Sequence, residues 1–371
     1  MTRTTHRDRS VRIAVAISTL LLLHCSAFGQ LYLEGKTAPG AIERDGSFSI
    51  ISNHTTAMYV RSWDNQSGTW KPTGFGLFSG ILGLSPPASN LSDGGFFVTV
   101  RRPWINERPF LAKWVPNGSL GQLTFFGAPP GRPSTMSGPS EVMYGNRVFV
   151  AAGGVLYERF LWGPVDWHSH GMAFGSKPLR DVTPCVFRDG SIFATTTGGE
   201  LVQLWWNAGN QTWNWYGHGH PERYSIFGGG GVSAISVGAA MPGSGKVFVT
   251  CSDGSLRQVY HDGTTWRWHN HGTPFGWRVD SRAVAILDGK LFVTGRWDSG
   301  GTIHRTLLEL YWNGSAWIWY DHGTPPGTGL ESGAATTMGG DFVAVMGTNG
   351  RYYLRDWDPA TGNWRWKDCG R

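Results

Sequence analysis

Helical periodicity is missing from this chain. Apart from one apolar run at the N-terminus, no stretch of the 371 residues repeats apolar side chains at the spacing of a helix that buries one face. Cysteine is scarce as well: Cys25 precedes the expected start of the mature chain, and Cys185, Cys251 and Cys369 follow it. Three thiols cannot make a full disulfide framework even in an oxidising compartment, so stability has to come from burial. No later segment is apolar over the ~20 residues needed to cross a bilayer. Charged residues are sparse at 16%, and no run of Lys or Arg builds the basic stripe that a nucleic-acid partner requires. Phosphate-binding loops and nucleophile-elbow motifs are absent too.

What the chain has is glycine and tryptophan, 54 and 20 residues of them. That combination suits many tight turns between short strands that carry large aromatic side chains, and so much aromatic surface excludes a disordered chain. At the N-terminus, Arg3, Arg7, Arg9 and Arg12 precede an apolar run from Ile13 to Leu23, and Ala27-Phe28-Gly29 offers small residues for cleavage. Residues 1–29 therefore read as a signal peptide cut near Gly29-Gln30, giving a secreted protein, extracellular or periplasmic. His24 is too bulky for the position before a lipid-modified Cys25.

The remaining chain, residues 30–371, is one repeat copied seven times. The clearest copies are Trp266-Arg267-Trp268-His269-Asn270-His271-Gly272-Thr273-Pro274 and Trp317-Ile318-Trp319-Tyr320-Asp321-His322-Gly323-Thr324-Pro325, with a third at Trp213–Pro221. The pattern W-x-W-x-x-H-G-x-P weakens through Trp167–Gly171, Phe125–Pro129 and Trp70–Gly74, and ends at Trp364–Gly370. The residues before the motif glycine, Thr73, Phe126, His170, His218, His271, His322 and Cys369, are 44 to 53 apart. That is the length of a propeller blade. Within a period, strand-like runs such as Ala283–Leu287, Lys290–Thr294, Leu307–Trp312 and Trp317–Tyr320 are separated by Asp288-Gly289 and Asn313-Gly314, which read as two-residue hairpin turns. The expected fold class is all-β: a seven-bladed β-propeller of four-stranded antiparallel blades. Leu31-Tyr32-Leu33 is left over and is expected to pair with the last blade and close the ring.

Two readings of the motif compete. In the structural one, a Trp of each pair packs between blades and the His bonds within its own blade. In the functional one, the second Trp and the H-G-x-P loop form the wall and rim of a shallow sugar site between blades, because sugars need a flat aromatic ring to stack on and short polar groups to orient their hydroxyls. The stacking residues would be Trp167, Trp215, Trp268 and Trp319, with His170, His218, His271 and His322 as the polar rim, and the motif glycine would let the backbone approach closely.

The repeat running from Thr183–Phe187 through Ser191–Thr195, Gly198-Gly199-Glu200-Leu201 and Trp205-Trp206-Asn207 to Trp213, Trp215 and Gly219 resembles that of the PLL-like bacterial seven-bladed propeller lectins. The likeness covers nearly the whole mature chain. It implies a multivalent lectin with sites between blades for fucose and related sugars, some of them O-methylated. The chain departs from that family in carrying His at a motif position that is more often apolar, and in its diverged first two copies, which implies fewer than seven working sites.

A propeller-fold polysaccharide lyase or glycosidase is the main alternative. It would need an asymmetric constellation, for which Arg132, Glu222, Arg223, Trp277, Arg278 and Glu331 are candidates against a reading as solvated loop charge. The pairs His168/His170, His218/His220 and His269/His271 suggest metal, but without a third ligand of suitable spacing they are weak. A non-catalytic adhesion scaffold is the third possibility. The favoured reading needs no cofactor, metal or catalytic residue. Its partners would be glycans or polysaccharides, not nucleic acid and not a membrane span. Sequons at Asn53, Asn65, Asn90, Asn117, Asn210 and Asn313 suit surface turns.

Overall fold

Runs such as Lys246–Cys251 and Phe342–Gly347 carry apolar side chains at nearly every position, and their side chains are buried on both faces. A strand of that kind needs a neighbour above and below it. The outer strands obey a different rule: Trp266–Asn270 alternates half-buried and exposed positions. Sheets stacked face to face around a common centre satisfy both patterns, and that is the arrangement in the computed structural model of this chain, an all-β propeller. The structure describes residues 40–44, 47–54, 57–64, 66–67, 69–77, 95–100, 108–117, 120–131, 133–140, 146–161, 166–187, 189–221, 232–241, 245–281, 284–285, 289–336 and 342–370. The expected signal peptide and Leu31-Tyr32-Leu33 lie outside the described residues.

Among the described residues, every sheet is antiparallel and built from consecutive strands. Six sheets have three or four strands, spanning residues 40–77, 96–127, 147–171, 185–219, 234–270 and 330–370, and a seventh, spanning 278–323, has five. The uniform four-stranded unit expected from the sequence is thus corrected. The fifth strand arises because Arg278-Val279 and Val284-Ala285 pair with successive parts of the long strand Leu291–Ser299, as two pieces of one broken innermost strand. In the sheet 147–171 the innermost place is taken by an extended segment whose Ser137 and Ser140 amides donate to the Ala151 and Phe149 carbonyls, each at 2.8 Å. The first and last sheets touch through their innermost strands, Gly40–Arg44 and Leu330–Thr336.

The hairpins also differ from expectation. Asp262-Gly263 and Asn313-Gly314 do not form two-residue turns: His261 pairs with Trp266 and Trp312 with Trp317, which leaves four-residue loops. The reason is the side chain of the first loop residue. Asn313 Oδ1 accepts the amides of Ser315 and Ala316 at 2.9 and 2.8 Å, and Asp262 Oδ1 accepts those of Thr264 and Thr265, so the side chain substitutes for a backbone turn.

Adjacent sheets are joined by a repeated pair of polar links. Thr99, Thr195 and Thr250 donate their hydroxyls to the Ser137, Ile235 and Ser281 carbonyls of the next sheet. The carbonyls of Gly154, Gly199 and Gly254, at the tight turn between second and third strands, accept the amides of Leu179, Ala234 and Val279. These glycines are where close approach is needed: a Cβ on Gly199 would lie 2.4 Å from Ser233 Cβ, and one on Gly254 would lie 2.7 Å from Arg278 Cβ. The motif glycines have a different duty. Gly171, Gly219, Gly272 and Gly323 have φ of 70–74° with open space around the Cβ position, so the backbone conformation selects them, not proximity.

Gly219→Ala should therefore cost about 1–2 kcal/mol, the penalty for a left-handed L-residue, whereas Gly199→Ala adds an overpacking term of about 1–3 kcal/mol. Denaturant unfolding of the two variants checks the ranking; equal losses would mean that the Gly199 turn is free to move away from its neighbour.

Candidate functional site

The motif repeats because it fills the same junction again and again. On an extended strand, alternate residues face opposite ways. Trp317 and Trp319 turn to the preceding sheet and pack on Phe248 and its cluster, while Tyr320 and His322 face the following one, where His322 meets Trp364 with ring centroids 5.0 Å apart. The expectation that the Trp and His of one motif share a site is thereby corrected. Three residues separate them, an odd number, and they lie on opposite faces. The Trp pair of each motif meets the His of the motif before it: Trp213 and Trp215 meet His170, Trp266 and Trp268 meet His218, and Trp317 and Trp319 meet His271.

Each junction has the same internal order. The imidazole lies over a fully buried Phe of its own sheet: His170 over Phe149, His218 over Phe193, His271 over Phe248 and His322 over Phe292. The first Trp of the next motif stands edge-on to the imidazole at 4.7–5.2 Å. The second Trp donates its indole N–H to the backbone carbonyl of the His, with Trp215, Trp268 and Trp319 bonding His170, His218 and His271 at 3.3, 3.0 and 3.0 Å. Trp167 packs beside Phe126 and the Arg159 guanidinium, and its buried indole nitrogen has no hydrogen-bond partner among the described residues.

A β-bulge brings the His to this position. The pairing of the third and outermost strands shifts register beside the motif glycine, for instance between Leu201/Val202 and between Leu307/Leu308. Such an extra residue re-aims a side chain, here toward a polar residue on the adjacent strand. His170 and His322 bond Glu158 and Glu309 at 3.0 and 2.7 Å, and His218 and His271 bond Gln203 and Gln258 at 3.1 and 3.0 Å. The side chains of His170 and His322 are only 2% and 0% exposed. As a group, the four imidazoles form a buried layer instead of the expected polar rim. The sequence reading did not single out their Glu and Gln partners, although each stands 12 to 15 residues before its His.

The exposed aromatics lie one step along the same face. Tyr216 and Tyr320 are 46% and 48% exposed and stand edge-on to His218 and His322 at 5.0 and 4.8 Å; His168 and His269 occupy the same place beside His170 and His271. A second exposed row, Trp206, Trp312 and Trp357, lies over the half-buried Trp213, Trp317 and Trp364 at the hairpin ends. Between Tyr216 on one sheet and Trp266, Arg267 and Trp268 on the next lies a cleft of about 80 Å³, with His218, Gly217 and Val259 completing its lining. Arg267 is mostly exposed and ion-paired to Asp262, whose carboxyl is held below its ordinary range by that guanidinium.

The residues considered for catalysis or metal are held otherwise. Arg278 packs over Gly254 and donates to the Ser252 carbonyl at 2.9 Å, and Trp277 stands edge-on to Trp297. Glu331 is half-buried in the strand Leu330–Thr336. Arg132, Glu222 and Arg223 lie outside the described residues. Among the described residues, no group of three His, Cys, Asp or Glu is gathered as a metal site, and no helix is long and apolar enough to cross a membrane. Cys185, Cys251 and Cys369 are buried.

Burial depresses the imidazoles of His218, His271 and His322. His218 is lowered to about 4 and His271 to about 3, the latter helped by His269 and Lys246, and His322 is lowered as well, with Glu309 opposing its burial. The unfolded chain takes up these protons from pH 6.5, whereas the folded rings resist them. Stability is therefore complete above pH 6.5 and is lost as the pH falls toward 4 and then 3. Melting temperature should drop by several degrees across this window. The double variant His218→Phe/Gln203→Leu should flatten the profile; an unchanged slope would mean that His218 does not titrate with folding.

No family model and no curated protein matches the chain. Solved structures do. A putative 6-phosphogluconolactonase from Bacteroides fragilis aligns at 12% identity and TM-score 0.55 over 90% of this chain and 94% of its own. YCF48 from Cyanidioschyzon merolae aligns at 13% identity and TM-score 0.55 over 86% and 95%. The β-propeller domain of Cps50 (Swd1) from Myceliophteria thermophila aligns at 11% identity and TM-score 0.52 over 86% and 95%. At these identities the likeness is one of fold, the β-propeller.

Proposed function

We propose that the protein is a secreted, non-catalytic, multivalent lectin, a seven-bladed propeller in which each of the seven sheets is a blade and glycans bind at blade junctions. The observation that supports this reading is the recurrence of an exposed tyrosine at two junctions, Tyr216 beside the half-buried Trp266 and Trp268, and Tyr320 on the His322 imidazole that in turn meets Trp364. A solvent-facing ring with indoles and short polar groups beside it matches the apolar face and hydroxyl rim of a pyranose. The stacking role belongs to Tyr216 and Tyr320 together with the second tryptophans Trp215, Trp268 and Trp319, and the four motif histidines hold those rings in place from beneath. Resemblance to the PLL-like propeller lectins favours fucosylated or O-methylated glycans. Several weak sites on one rigid body gain ~10²–10⁴ in avidity on a glycan-coated surface.

A glycan array containing fucosylated and O-methylated sugars, probed with the purified mature protein, tests the reading. Tyr216→Ala and Tyr320→Ala should leave the melting temperature within a few degrees, because these rings are largely exposed, and should weaken monovalent binding about tenfold, near 1.4 kcal/mol. A silent array from a folded protein, or full binding by the double variant, overturns it.

A further inference from the structure

Two of the four imidazoles, His218 and His322, are alike in position and unlike in how their second nitrogen is used. His322 has both nitrogens occupied: Glu309 Oε2 at Nε2, and at Nδ1 the Arg355 Nε–H, which donates at 3.2 Å. His218 has one. Its Nε2 is 3.1 Å from Gln203 Oε1, while Nδ1 is buried and, among the described residues, has no hydrogen-bond partner. An amide oxygen is an acceptor only, so Nε2 carries the proton and donates it, and Nδ1 is left with an unused lone pair. The same ring lines the cleft between Tyr216 and Trp266, Arg267 and Trp268.

A buried acceptor without a donor is costly to maintain unless something supplies one. The remaining ring contacts of His218 are aromatic, with Phe193 stacked below and Tyr216 and Trp266 edge-on, and none of these presents an N–H or O–H to the imidazole there. Resting on the lectin reading, we infer that the Tyr216–Trp268 junction is a sugar subsite distinct from the His322 junction, in which one ligand hydroxyl donates its proton to His218 Nδ1. The cleft, at about 80 Å³, admits the edge of a pyranose with one or two hydroxyls, and the rest of the ring lies outside against Tyr216. Arg267, exposed at the mouth, supplies donors to a second ligand oxygen. An acceptor at the floor and a cation at the mouth make the subsite selective: the inward hydroxyl must be free, whereas the outward oxygen tolerates methylation.

This is tested on the full mature chain by calorimetry with methyl glycosides of L-fucose, D-galactose, D-mannose and D-glucose and their mono-O-methyl ethers, alongside the ¹⁵N resonances of the histidine rings. The expected result has two parts. One monomethyl ether of a binding sugar loses the site while its other ethers keep it, and the sugar shifts the unprotonated ring nitrogen that disappears in His218→Phe/Gln203→Leu. That double variant removes both partners of the bond and keeps the ring's shape; its melting temperature at neutral pH confirms folding, and it should bind at one site fewer than the parent. Should the variant melt early, the resonance shift and the ether series in the parent protein decide alone. Sugar binding with no movement of the His218 nitrogen and an unchanged site count overturns the subsite and leaves the lectin reading intact; the nitrogen would then be bonded to an ordered water only. No binding by any glycoside overturns both.

Discussion

Everything in this structure depends on an indole N–H reaching across from one sheet to the backbone of the next. A propeller sheet is apolar on both faces and has no stability by itself, so its surfaces must be matched to neighbours at a fixed distance and angle. Aromatic edge contacts supply the burial but little orientation. The bond from the second tryptophan to the carbonyl behind the motif histidine supplies the orientation, with Trp215, Trp268 and Trp319 fastening three successive junctions. The threonine and glycine-carbonyl links set nearer the centre do the same for the inner strands. The described sheets are held together by this repeated fastening and by the burial around it.

The architecture was legible in the sequence because the features that create it are periodic. A recurring W-x-W, hairpin signals and runs buried on both faces force stacked antiparallel sheets with little dependence on detail. Turn geometry was less legible: Asp262 and Asn313 promise two-residue turns by composition, and the ability of their side chains to cap a longer loop is seen only when the register is known. Of the broken innermost strand, the piece at Val284-Ala285 falls within the run Ala283–Leu287 that reads as a strand, whereas Arg278-Val279 is too short to show a pattern.

The site was half legible. All eight motif residues lie at junctions between sheets, and the Trp and His of one motif serve different junctions. The information was there: Trp319 and His322 are an odd number of residues apart on one strand, and odd spacing places them in different junctions. The bulge that turns the histidine inward could not be anticipated, because the glycine that permits it also fits a loop. The Phe and Glu or Gln that receive the imidazole belong to other strands, and only the register joins them to the motif. Repetition in the sequence therefore marks what builds the junction, whereas positions 168, 216, 269 and 320, which stand beside the motif histidines, alternate between His and Tyr.

The cross-sheet bond has one more consequence. It ends on a main-chain oxygen, which every amino acid possesses, and makes no demand on the side chain at that position. The histidine side chain has separate duties, against Phe, Trp and its Glu or Gln partner, so a substitution there disturbs the packing of the junction and leaves the acceptor of the cross-sheet bond in place. The alignment of the sheets is thereby separated from the packing within each junction, so that one junction can be altered without removing the bond that sets its neighbour's place.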